Sequence, residues 1–179
     1  CKTFLAGSQV HVGAAIAFPL GQTTLEDKLS ETRNAIKNGA DEIDYVVNLT
    51  KLKAGDTAYI ESEMARITDI CREFSVVSKV IFENCYLTED EKKTLCHIAA
   101  KVKPDFIKTS TGFGTGGATL EDVALMKKET EGSGVKIKAA GGIRTLKTAL
   151  EMIDLGVSRI GSTSSVAIME EYMAHSPLL

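Results

Sequence analysis

The chain has 179 residues, enough for one domain with a substantial core, and its 44% apolar and 25% charged residues are those of an ordinary globular protein. A formal net charge of -3 argues against a nucleic-acid or polyanion binder. No apolar run approaches the roughly 20 residues that a membrane-spanning helix needs, so no membrane partner is expected.

The opening Cys1-Lys2-Thr3-Phe4 lacks the basic-then-apolar order of a signal peptide, and a first residue other than Met leads us to expect that something precedes it. Cys1, Cys71, Cys85 and Cys96 form no Cys-x-x-Cys pair, which argues against a zinc site or a disulfide framework and fits a reducing cytoplasm.

From there the chain alternates strands and helices. Val10–Phe18 is an apolar run punctuated by Pro19-Leu20-Gly21. Residues 24–38 carry helical spacing through Leu25, Leu29, Thr32 and Ile36, with a capping box expected from Thr23 and Glu26 and a stop at Gly39. Glu42–Val47 is the next strand, Asp56–Glu73 the next helix, and Val76–Glu83 a buried strand. A helix at 88–101 opens on a second capping box, Thr88 with Glu91. Strand Phe106–Lys108, helix 119–131, strand Val135–Lys138, helix 145–155, strand Ser158–Gly161 and a helix from about Ser164 complete the series.

Helices that open on Thr24-Leu25-Glu26-Asp27, Thr119-Leu120-Glu121-Asp122 and Thr145-Leu146-Lys147 give a weak internal echo of repeated βα units. Unbroken alternation with short connections predicts one domain around a parallel sheet, either a barrel or a doubly wound sheet. In both, function collects at the carboxyl ends of the strands. No Gly-x-Gly-x-x-Gly opens the first βα turn, which puts the barrel ahead of a dinucleotide-binding sheet.

The chemistry-bearing residues lie at those strand ends. Lys108 closes an apolar strand just before Thr109-Ser110-Thr111-Gly112-Phe113-Gly114. Strand parity puts it on one face with Phe106, and Ile107 on the other. Lysines avoid buried strand interiors unless they are used, although a solvated rim would also accept one. Lys138 ends the following strand before Ala139-Ala140-Gly141-Gly142, with Lys136 a decoy nearer the far rim. Two strand-end lysines facing one pocket would each lower the other's proton affinity, and burial would act in the same direction.

Asp41 and Glu42 read as a solvated strand entry, whereas Asp44 lies deeper and needs a cationic partner. A carboxylate beside two lysines could move protons through a water. Gly141, Gly142 and the run Gly161-Ser162-Thr163-Ser164 end the last two strands, where backbone amides and helix N-termini suit an anion, or where a hydroxyl merely caps a helix. His11, His97 and His175 have no partner at ligand spacing, so no metal site is expected. Glu83 and Cys85 are read as packing.

These residues resemble deoxyribose-phosphate aldolase, a class I aldolase family, in Gly39-Ala40-Asp41-Glu42-Ile43-Asp44, the Phe106–Gly114 run, Gly141-Gly142-Ile143-Arg144, Arg159-Ile160-Gly161 and Phe18-Pro19-Leu20-Gly21. The resemblance runs from about Val10 to about Met173. It implies a (β/α)8 TIM-barrel fold and reversible cleavage of 2-deoxy-D-ribose 5-phosphate to acetaldehyde and D-glyceraldehyde 3-phosphate, in deoxyribonucleotide catabolism, with no cofactor or metal. It further implies Lys108 as the Schiff-base lysine, Lys138 as the second lysine that depresses its pKa, and Asp44 as the acid that shuttles protons with a water. Gly112, Gly141, Gly142, Gly161, Thr163 and Ser164 fall where the family binds substrate phosphate.

About six βα units are visible, so the barrel is expected to be truncated at its N-terminus, with Cys1–Gly7 a remnant of a strand and helix. Exposed sheet edges would favour a homo-oligomer. The competing readings are another phosphosugar lyase or isomerase on the same barrel, and a non-enzymatic assembly partner.

Overall fold

A computed structural model describes residues 1–175. Six strands, β1 (Gly13–Ile16), β2 (Glu42–Val46), β3 (Val77–Ile81), β4 (Phe106–Lys108), β5 (Lys136–Ala140) and β6 (Arg159–Gly161), form one parallel sheet in the order β1-β2-β3-β4-β5-β6. Helices α1 (Leu25–Lys37), α2 (Leu49–Lys53), α3 (Thr57–Glu73), α4 (Glu89–Val102), α5 (Leu120–Glu129), α6 (Leu146–Asp154) and α7 (Ser165–His175) follow and connect the strands. Each strand pairs with the next in sequence, which is the topology of a barrel wall and not of a doubly wound sheet. The sheet curls far enough for Arg159 on β6 to reach Glu42 on β2 at 2.5 Å.

Strand parity sorts the side chains. Ile43, Tyr45, Val80, Ile107, Ile137 and Ala139 point outward and join the apolar faces of the helices in one buried cluster. Among the residues that alternate with them on the concave face are Glu42, Asp44, Lys79, Phe106, Lys108, Lys138 and Arg159. The hydrophobic core therefore lies between sheet and helices, and the charges lie inside the curl.

Helix starts follow the side-chain caps. Thr88 and Glu91 form the expected capping box. At α1 the cap is Thr24, which accepts from the Asp27 amide, one residue later than the expected Thr23 and Glu26 pair. Three further differences are local. The apolar run from Val10 narrows to a four-residue strand, Gly13–Ile16. Helix α2, a single turn capped by Asn48, was not expected. Cys1–Gly7 carries neither strand nor helix; it is a run of turns in which Lys2 pairs with Asp41 at 2.5 Å. The carboxyl ends of all six strands open on one side, and the loops there build the site.

Candidate active site

Register brings the charged residues together. Asp44 on β2 pairs with Lys79 on β3, Lys79 with Phe106 on β4, Ile81 with Lys108, and Lys108 with Lys138 on β5. Asp44 Oδ2 accepts from Lys108 Nζ at 2.9 Å and from Lys138 Nζ at 2.7 Å. Its other oxygen, Oδ1, accepts from Lys79 Nζ at 2.5 Å. The three residues singled out by sequence, Lys108, Lys138 and Asp44, are thus one cluster, although 64 and 94 positions separate the lysines from the acid.

The electrostatics follow from burial and from this crowding. Burial pushes the Asp44 carboxyl upward, but the Lys108, Lys79 and Lys138 charges outweigh it and hold the group well below the usual carboxylate range. Lys138 is lowered from the ordinary lysine value. Burial is the main cause; Asp44 opposes it, and the Lys108 and Lys79 charges reinforce it.

Above this cluster lies a cavity of about 360 Å³, lined by Lys108, Lys138, Thr111, Gly112, Gly141, Gly142, Arg144, Gly161, Ser162 and Thr163 among others. Five of the six expected phosphate-site residues are in that lining. Ser164 sits one residue beyond it, with its amide donating to Ser162 Oγ at 2.9 Å, while Ser162 Oγ donates to the Ile143 carbonyl. Gly112, Gly141 and Gly142 all have positive φ, so their amides take directions that a side-chain-bearing residue would resist. The loops after β4 and β5 also touch backbone to backbone: a Cβ on Gly117 would lie 2.3 Å from the Gly141 carbonyl oxygen.

A larger groove of about 460 Å³ opens at the opposite end of β5, between Lys127, Thr130, Lys136 and Gly156. Lys127 and Lys136 are exposed there, and Lys136 lies over the Phe106 ring at 5.7 Å. Nothing in it converges as the Asp44 cluster does.

Sequence reasoning missed four contributors. Lys79 is 1% exposed and bridges Asp44 to Glu42, whose Oε2 lies 2.7 Å from its Nζ. Glu42, expected at a solvated strand entry, is in fact 5% exposed and held by Lys79, Arg159 and His11. Glu83, read as packing, is buried; its carboxylate accepts from the Thr111 amide at 3.1 Å and from the Thr111 hydroxyl, pinning the loop after Lys108. Arg144 adds a cation to the cavity wall. Lys79 carried a usable signal, a lysine centred in the apolar run Val77–Ile81.

The family model for DeoC/LacD family aldolases matches residues 5–163. The chain belongs to the DeoC/LacD aldolase family. It is 57% identical over 170 residues to the deoxyribose-phosphate aldolase of Lactobacillus acidophilus, covering 95% of this chain and 71% of that protein. The corresponding figures for the Bacteroides thetaiotaomicron enzyme of the same name are 52%, 96% and 72%.

Among solved structures, the aldolase QR15 superposes with a TM-score of 0.88 at 41% identity, covering 94% of this chain and 75% of that one. A tetrameric deoxyribose phosphate aldolase from Aeropyrum pernix superposes with a TM-score of 0.88 at 28% identity, covering 98% and 73%. The six strands of this DeoC/LacD family aldolase are therefore a curled part of a TIM barrel.

Proposed function

We propose that this chain is a Schiff-base aldolase that cleaves 2-deoxy-D-ribose 5-phosphate reversibly to acetaldehyde and D-glyceraldehyde 3-phosphate. The observation that carries the reading is the convergence of Lys108 and Lys138 on one Asp44 oxygen beneath a glycine-lined cavity. The relatives' shared name supports the substrate.

In this reading Lys108, as the neutral amine, adds to the C1 aldehyde and loses water to form an iminium. A proton leaves the C3 hydroxyl, the C2–C3 bond breaks, and its electron pair moves into the iminium to give an enamine. Glyceraldehyde 3-phosphate departs with C3 to C5. Protonation of the enamine at C2 and hydrolysis then release acetaldehyde and restore Lys108. Lys138 and Asp44, with a water, carry these protons. The lowered proton affinity of Lys138 suits a group that must both give and take a proton near neutral pH.

The substrate phosphate sits against Gly112, Gly141, Gly142, Gly161 and Thr163, with Ser164 helping to shape the turn and with Arg144 as counter-charge. The setting that fits is deoxyribonucleotide catabolism in the cytoplasm, where the four free cysteines would stay reduced. The exposed apolar side chains of α7, Val166, Met169 and Met173 among them, favour a homo-oligomer.

Borohydride trapping with deoxyribose 5-phosphate or acetaldehyde, read by intact mass and peptide mapping, tests the mechanism. The expected result is an adduct on Lys108 that is lost in Lys108→Leu. An adduct on Lys138 or Lys136 would overturn the assignment of roles, and no adduct from a cooperatively folded chain would overturn the proposed activity.

A further inference from the structure

Beneath the catalytic cluster lies a second layer of charge that the reaction as described does not use. Glu42 and Lys79 are buried, and neither lines the cavity. One Arg159 nitrogen, Nη1, reaches both Glu42 oxygens at 2.5 Å. Glu42 Oε1 also meets His11 Nδ1 at 3.0 Å, and Oε2 meets Lys79 Nζ at 2.7 Å. Lys79 then spends another proton on Asp44 Oδ1.

We propose that Glu42 and Arg159 are positioning residues for the aldolase reaction: they fix Lys79, and through it the Asp44 carboxylate, so that Oδ2 alone serves Lys108 and Lys138. The inference rests on the function proposed above.

The physical reason is that a carboxylate turns easily about its terminal bond, so a single contact does not set its direction. Lys79, directly across from Asp44 in the β2–β3 register, takes one oxygen and leaves the other aimed at the two working lysines. Lys79 can do this only if it is itself held. Without Glu42, Asp44 would be the ion-pair partner left to Lys79 among the described residues, while it also serves Lys108 and Lys138. An ammonium as enclosed as Lys79 would then pull Asp44 downward, away from the cavity. Arg159 in turn fixes Glu42, and its own guanidinium stacks over Phe106 at 5.2 Å.

A bland alternative is that the Glu42–Arg159 pair is only a strap between β2 and β6. A strap would affect melting and leave the pH profile alone.

The test compares the parent chain with Glu42→Gln, Lys79→Met, the double variant, Arg159→Met and Arg159→Lys. The readouts are kcat and KM for deoxyribose 5-phosphate against pH, and borohydride trapping of acetaldehyde on Lys108. Glu42→Gln should lower kcat about 10- to 100-fold with KM little changed, the size of effect expected when a catalytic group is displaced by about 1 Å. Lys79→Met removes a cation that depresses Lys138, so the limb of the profile governed by that lysine should move to higher pH. Adding Glu42→Gln to Lys79→Met should change neither kcat nor the profile further. Arg159→Lys should recover most of what Arg159→Met loses.

A folded Glu42→Gln variant with parental kcat and pH profile would overturn the inference, as would equal losses from Glu42→Gln with and without Lys79. If Glu42→Gln does not fold, Arg159→Met, at a half-exposed site, decides the matter by the same readouts. An adduct on Lys108 in the parent together with parental kcat and pH profiles in the Glu42 and Arg159 variants overturns this inference alone; no adduct in the parent overturns the proposed function and this inference with it.

Discussion

Gly117→Ala should impair handling of the phosphate substrate more than amine chemistry, and the structure gives the size of the displacement. The added Cβ would lie 2.3 Å from the Gly141 carbonyl oxygen, 2.5 Å from its carbon and 3.1 Å from its Cα. Ordinary contacts at such atoms begin at about 3.4 Å, so the loops after β4 and β5 must part by about 1 Å. Rotamer change offers no relief, because both partners are backbone. The Ala118 amide, which donates to the Ala140 and Gly141 carbonyls at 3.1 and 3.0 Å, would be disturbed in the same movement.

Overpacking of this kind costs about 1–3 kcal/mol of stability, which a domain of this size survives. A 1 Å error in a substrate-binding loop costs roughly 100-fold in kcat/KM. The assay is retro-aldol cleavage of deoxyribose 5-phosphate beside borohydride trapping of acetaldehyde, which carries no phosphate. We expect kcat/KM to fall about 100-fold while Lys108 still traps acetaldehyde within a few-fold of the parent rate. Thr115→Ala, an exposed change in the same loop, is the control. Parental kcat/KM in Gly117→Ala would refute the placement of the phosphate, and equal loss in both assays would show that the loops hold Lys108 itself.

Other sites give sharper stability tests. Lys28 and Glu63 form an ion pair of 2.7 Å with both side chains fully buried, so Lys28→Met should cost about 3–5 kcal/mol in urea melts; a loss under about 1 kcal/mol would refute the argument. Adding Glu63→Leu should recover only part of it, because the Asn48 amide and the Val46 carbonyl would lose their partners. Asp44→Asn should lower kcat by roughly 100-fold or more while Lys108 remains present to be trapped, and activity within three-fold of the parent would remove Asp44 from the proton path.

Burial raises the Glu42 carboxyl, but its bonds from Lys79, Arg159 and His11 win and bring it down to about 2, from an ordinary 4.5. A depressed acid contributes stability that is complete above its unfolded pKa and is lost as pH falls through the folded one. Acid melts should therefore decline between about 4.5 and about 2, and Glu42→Gln should lack that component. Thr88→Ala removes the cap of α4 and should cost about 1 kcal/mol, or roughly 2–4 °C in Tm.

The site was legible in the sequence where a residue broke a local pattern. Lys108 did so twice, as a charge ending an apolar strand and as the residue before a glycine loop. Lys79 broke the same pattern once, inside Val77-Ser78-Lys79-Val80-Ile81, but the strand runs on into Phe82 and no glycine loop announces it. Glu42 was misread because the residues that bury it come from far away; Arg159 lies 117 positions on.

Lys28 shows the same limit on a helix. Its neighbours Leu25, Leu29 and Thr32 marked the buried stripe, yet only the approach of α3, which carries Glu63 35 positions away, turns Lys28 into a core residue. Parity and capping act within a few residues and are readable. Pairing of buried charges is set by topology and is not.

That division has a mechanical consequence for how this protein can hold so many charges and still fold. The apolar cluster lies between the outward face of the sheet and the helices, so the concave face is released from the task of making that core. Charges there need only satisfy one another. Glu42 pairs with Arg159 across the curl, Asp44 lies beside Lys79 in the β2–β3 register, and Lys138 lies in register with Lys108 on β4 and with Arg159 on β6.

Each of these carboxylates is shared by at least two cations, so the lysines outnumber the anions nearest the cavity. An excess of cations costs stability and favours the loss of a proton from the amine most able to lose one. In the proposed reaction that excess is useful beside the cavity, whereas Lys79, 1% exposed, is enclosed and needs anionic partners. Glu42 supplies one such partner and Asp44 the other, so Asp44 does not have to hold Lys79 alone while it also serves Lys108 and Lys138.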